Sequence, residues 1–86
     1  MISKCEDCDY TILIADLMVT LDSADVFVLK IWMGGKELPF IFDDEHDICF
    51  LQEGIRAEKG TRVNYIFYDT IDNIQVLKND NKRMAD

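Results

Sequence analysis

Two adjacent glycines, Gly34 and Gly35, stand between two runs rich in strand-forming residues, 26–33 and 36–42. A Gly-Gly pair supplies the two positive-φ positions of a two-residue turn, so the pattern predicts an antiparallel hairpin. With Met33 opposite Lys36, Ile31 faces Leu38, Leu29 faces Phe40 and Phe27 faces Phe42, a wholly apolar face. The other face pairs Trp32 with Glu37, Lys30 with Pro39 and Val28 with Ile41. Pro39 has no N–H for a ladder, which predicts that residues 36–42 form an edge strand.

Upstream, residues 10–21 read as a first strand. Their alternation changes phase, with Tyr10, Ile12 and Ile14 on even positions but Leu17, Val19 and Leu21 on odd ones. A period of two cannot change parity without an extra residue, which predicts a bulge or bend between Ala15 and Asp16. Asp22 to Asp25 is turn chemistry. Residues 43–54 are the one helix candidate. Asp43 or Asp44 is a natural N-cap, the acidic first turn suits the dipole, and Ile48, Leu51 and Ile55 recur at helical spacing before Gly54. Lys59-Gly60 predicts a turn into an aromatic strand at 62–68. Residues 69–73 read as one helical turn capped by Asp69, and 74–78 as a last strand.

The expected order is therefore β-β-β-α-β-β. The expected class is mainly β (α+β), a small antiparallel, strongly bent sheet or an SH3-like or Sm-like half-barrel with one short helix. Eighty-six residues hold one domain. It is expected over 1–78, with an acidic, cysteine-bearing arm at 1–9 and a polar, frayed tail at 79–86. Several strands are apolar on both faces, and one helix covers only one face of a sheet. The second face must be covered by curling of the sheet or by a second copy. A homodimer through the Pro39 edge or the Trp32 face is the expectation. Trp32 and Phe50, large side chains set among acids, are the apolar partner-binding candidates.

Charge narrows the function. The chain is 49% hydrophobic, which suits a globular protein, and carries a net charge of −8. Residues 1–54 hold three basic and twelve acidic side chains, whereas residues 55–86 hold six and five. Such a chain repels nucleic acid phosphates. Asp43, Asp44, Glu45 and Asp47 are the densest acids beside the expected helix, and they are candidate contacts to a partner with a basic surface. The N-terminus shows no apolar signal-peptide core, no stretch is apolar enough to span a membrane, and three cysteines is an odd count for a disulfide framework. A soluble, cytoplasmic protein is expected.

All the soft metal ligands fall into two pairs, Cys5-x-x-Cys8 and His46-x-x-Cys49. On a helix His46 and Cys49 lie about 60° apart, so the four side chains suit a closed Cys3His structural zinc site. Against that stand three thiolates and five nearby carboxylates, more negative charge than one divalent ion offsets. Unrelated cysteines and a solvated histidine are the simpler reading, with no cofactor. A redox role for Cys5 and Cys8 is disfavoured, because reactive thiols sit beside cations or helix N-termini. Calcium is disfavoured because Ile48 stands where an EF-hand loop needs glycine. Asp69 and Asp72 read as turn residues rather than an acid–base pair. No nucleophile–base constellation appears, so no enzyme is expected. The leading expectation is a small acidic, non-enzymatic protein-binding module. In its strongest form it is a nucleic-acid mimic, a phage-type inhibitor filling the basic site of a host or defence protein. The alternative is a zinc-stabilised adaptor domain.

Overall fold

The computed structural model describes residues 2–79. Strands β1 (Ile2–Lys4), β2 (Val26–Met33), β3 (Phe40–Asp43), β4 (Asp47–Phe50), β5 (Gly54–Lys59), β6 (Arg62–Phe67) and β7 (Ile71–Asn79) accompany one helix, α1 (Ile12–Asp22), and a 3-10 turn at Tyr68–Thr70. They form two sheets, ordered β1-β4-β5-β6 and β3-β2-β7. The class is mainly β with one short helix, as expected. The element order is not, because the helix lies second in the chain and β1 joins β4 in parallel.

The helix at residues 12–22 replaces the expected bulged strand. Ile14, Leu17, Met18 and Leu21 make a helical stripe, of which Leu17, Met18 and Leu21 are buried. The parity change read as a bulge is what a 3.6-residue period produces when sampled every second residue. Thr11 caps the start, its Oγ1 accepting from the Ile14 N–H at 3.3 Å. Ser23 closes the other end through its N–H to Val19 O.

Residues 43–54 form no helix. Asp44 to His46 make a turn, and β4 follows with Ile48 and Phe50 buried and Cys49 between them on the other face. β5 then alternates buried Ile55 and Ala57 with half-buried Arg56 and Glu58. Helical spacing of Ile48, Leu51 and Ile55 is a coincidence of two short strands and their three-residue connection. Phe50 was expected at a surface, and its position is corrected by the same change. On β4 it points inward and is 0% exposed.

The Gly34-Gly35 hairpin exists with a register two residues from that expected. Leu29 lies opposite Phe42 and Ile31 opposite Phe40. A shift of two preserves the faces, so Phe27, Leu29, Ile31 and Phe42 still share the core side. Only Gly35 takes positive φ (77°), in a turn closed by the Lys36 N–H on Met33 O. The end of β2 is claimed instead by β7, where Met33 pairs with Ile71. Pro39 therefore lies outside β3, where its missing donor costs nothing. β3 is an edge, as its proline implied.

The turn at Gly60 (φ 62°) joins β5 to β6 with Lys59 opposite Arg62. The helical turn after β6 begins at Tyr68 and has no side-chain cap, so the capping expected of Asp69 is absent. Ile2 to Lys4 of the expected arm are strand, and Asn79 closes β7. Residues 80–86 of the expected tail lie outside the described residues.

One core joins these parts: Leu17, Met18 and Leu21 of α1 meet Phe27, Leu29 and Ile31 of β2 and Ile48, Phe50, Ile55 and Ile66 of the other sheet. Gly54 sits where β5 meets β6. A Cβ there would stand 2.3 Å from Ile66 O, closer than backbone allows. Gly54→Ala should therefore lower the unfolding free energy by roughly 2–3 kcal/mol. Gly34→Ala, with nothing within 4 Å of the added carbon, should change it by less than about 0.5 kcal/mol. Urea denaturation of the two variants checks the contrast.

Candidate functional site

Three places concentrate chemistry. The first is the β3–β4 turn, which carries the acids singled out in the sequence. Asp44, Glu45 and Asp47 are exposed and Asp43 is half-buried. The turn is braced from within. His46 Nδ1 lies 2.9 Å from Asp43 Oδ1, Asp43 Oδ1 accepts from the Glu45 N–H at 3.0 Å, and the His46 ring meets the Phe42 ring edge-on. Lys59 from β5 reaches Glu45 at 3.0 Å. The hydrogen bond with His46 holds the Asp43 carboxyl below the usual range, and that with Glu45 raises the exposed Lys59 ammonium.

The second is a cysteine–tyrosine cluster at the other end of β4. The neighbouring Cys5 side chain, more than burial, pushes the Cys8 thiol up. The Tyr10 phenol donates to Phe50 O at 2.5 Å and accepts from the Cys5 N–H at 3.1 Å. The Tyr68 phenol donates to Leu51 O at 2.7 Å. Burial pushes the Tyr68 phenol up, and charge on Cys8 and Cys49 nearby works in the same direction. A raised Cys8 thiol stays protonated near neutrality, the opposite of what nucleophilic or redox cysteines need.

Of the four expected zinc ligands, the structure therefore brings Cys5 and Cys8 together. It sets Cys49 on the outward face of β4 and His46 in the turn before that strand. Without the helix, His46 and Cys49 are three residues apart along extended chain, about 10 Å. Among the described residues no three His, Cys, Asp or Glu side chains are grouped to hold a metal ion. Of the apolar partner candidates, Trp32 is half-buried on the outward face of its sheet, opposite Asn73. Phe50 is in the core.

The third place was not read from the sequence. A groove of about 770 Å³ opens between α1 and β7. Leu13, Asp16, Leu17 and Thr20 line it from one helix face at i, i+3, i+4, i+7 spacing. Ile71, Asp72, Asn73, Ile74 and Val76 line it from β7. Asp9 and Asp69 complete a set of four carboxylates, and among the described residues the lining contains no Lys, Arg or His. The acids Asp69 and Asp72 were visible in the sequence. Their meeting with Asp16 depends on residues 12–22 being helical.

No family model, curated protein or solved structure matches the chain.

The Asp43–His46 contact gives a pH dependence of known sign. A carboxyl with a depressed native pKa contributes stability that is present above its unfolded value, about 3.9, and is lost as pH falls through the native value. The Asp43 carboxyl carbon, followed by NMR, should titrate below that reference. In His46→Gln it should return towards it.

Proposed function

We propose that this chain is a small acidic, non-enzymatic protein-binding module that engages the basic surface of a partner, in the way nucleic acid phosphates would. The observation that carries this reading is the placement of its charge. Among the described residues no charged side chain is buried, and every carboxylate except Asp43 and Glu58 is exposed. The excess of acids is thus held at the surface. Two features support binding over catalysis: His46 is engaged by Asp43, and the Cys8 thiol is held protonated. No helix among the described residues is long and apolar enough to cross a membrane. In this reading the module works in the cytoplasm, with Cys5, Cys8 and Cys49 as free thiols. The zinc alternative has the Cys5–Cys8 contact in its favour, and stoichiometric zinc in protein purified without chelator would decide for it.

The same reading includes a homodimer, formed along β6 rather than through the Pro39 edge or the Trp32 face. Four strands are edges among the described residues, and they are not equally protected. β1 has three residues, β3 has four with Pro39 before it, and β7 carries an irregularity near Asp72. β6 has six residues in regular register, with no proline, no bulge and no charge after Arg62. Its outward row, Val63, Tyr65 and Phe67, is 38%, 63% and 56% exposed. Such an edge invites another strand. A two-fold axis at Tyr65 sets Val63 of one copy against Phe67 of the other. Sedimentation should show a dimer at tens of micromolar, in the range of weak self-association, and Tyr65→Lys with Phe67→Lys should give a folded monomer.

Charge reversal at Asp43, Asp44 and Asp47 should weaken binding to a basic partner at least tenfold and flatten its salt dependence while the circular dichroism spectrum is kept. Binding indifferent to salt and to all three substitutions would sink the acidic-surface reading.

A further inference from the structure

The geometry points to the α1–β7 groove as the seat of an extended basic segment of the partner, which adds to the free edge of β7 and sets its Lys or Arg side chains against Asp16, Asp69 and Asp72. This rests on the acidic-module reading and names the site and chemistry of one contact within it.

The first argument is the strand edge. β7 spans nine residues, and β2 is its one strand neighbour among the described residues. Ile74 and Val76 share the core side of the sheet, opposite Ile31 and Leu29, whereas Asn73 lies opposite outward Trp32. All three line the groove. Only the edge of a strand shows both of its faces to one hollow. Unpaired backbone groups along that edge are what strand addition uses for affinity.

The second argument is local irregularity. Trp32 pairs with Asn73 and Met33 with Ile71, which leaves Asp72 as an extra residue in β7. Such a bulge re-aims a side chain and strengthens the local twist. Asp72 lies in the groove lining as a result, together with Asp69 from the preceding turn.

The third argument is complementarity. Leu17, Ile74 and Val76 give the groove an apolar floor, while Asp9, Asp16, Asp69 and Asp72 supply negative charge uncompensated by any base among the described lining residues. An added strand presents alternate side chains to opposite sides. A segment alternating Lys or Arg with Val, Leu or Ile answers both the floor and the rim. A polyamine would meet the acids and leave the floor wet. An acidic or purely apolar peptide would leave the carboxylates unanswered.

The probe is a nine-residue synthetic peptide alternating Arg and Val, titrated into the full chain and followed by amide NMR shifts and fluorescence anisotropy. Its controls are the same peptide with Glu for Arg, one with a central proline, and spermidine. The expected result is shifts centred on Leu17, Ile74 and Val76, at least tenfold slower hydrogen exchange along β7, and at least tenfold weaker binding by the proline peptide. The triple variant Asp16→Lys, Asp69→Lys, Asp72→Lys should also weaken binding at least tenfold. If that variant does not fold, the shift map and the proline comparison on the unaltered chain decide. Shifts elsewhere, equal binding of the proline peptide, or the same shifts from spermidine at equal concentration would each overturn the assignment. A basic protein partner weakened by reversal of Asp43, Asp44 and Asp47 but not by the groove variant would remove the groove assignment and leave the module reading standing.

Discussion

One backbone carbonyl ties the two ends of this architecture together. Phe50 is fully buried, and its oxygen accepts from both the Cys5 N–H and the Tyr10 phenol. The first bond continues the parallel β1–β4 pairing, and the second fixes the residue that immediately precedes the cap of α1. Tyr68 does the same for the neighbouring carbonyl of Leu51 from the 3-10 turn that leads into β7. Two phenols thus hold the helix entrance and the β7 entrance to adjacent residues at the end of β4. Each bond contributes only about 1 kcal/mol net, but burial keeps both hydroxyls protonated through the ordinary pH range, so they remain donors. The groove between α1 and β7 is the space these anchors leave.

How much of this was legible follows from which forces are local. The Gly34-Gly35 turn, the run of β2 and the edge position of the strand expected at 36–42 and found at Phe40–Asp43 were readable, because glycine φ, strand propensity and the missing proline N–H act within a few residues. The hairpin register was not, since the end of β2 is taken by β7, far along the chain. The two helix errors have one origin. Short apolar runs fit both periods: Ile48, Leu51 and Ile55 satisfied a helix they do not form, and Ile14 was split from Leu17 and Leu21 into a separate strand phase. Which period wins is set by the partner surface, and α1 is helical because its stripe meets the core made by strands elsewhere in the chain.

The misread helix also decided the candidate site. It placed His46 and Cys49 side by side and Phe50 outside, and all three placements fell with it. Of the acids of the β3–β4 turn, Asp44, Glu45 and Asp47 are exposed, because a carboxylate favours water whatever the secondary structure. The groove acids needed the tertiary fold to be seen together. Asp16 comes from the helix, Asp69 from the 3-10 turn and Asp72 from an irregular strand.

The pairing pattern also constrains how the chain reaches this state. β1 finds its place beside β4, with Ile2 against Ile48, and β2 receives β7, with Val28 against Leu77. Both closures span more than half of the sequence, so loop-closure entropy must be met before either sheet is complete. Early reward lies in the β2–β3 hairpin and in the β4–β5–β6 meander, whose strands are sequential neighbours. As the chain leaves a ribosome, that meander can form while β2, with Phe27, Leu29 and Ile31, still lacks the strand on its far side. The central strand of the second sheet is therefore the part most exposed to mispairing during synthesis, and its protection arrives last.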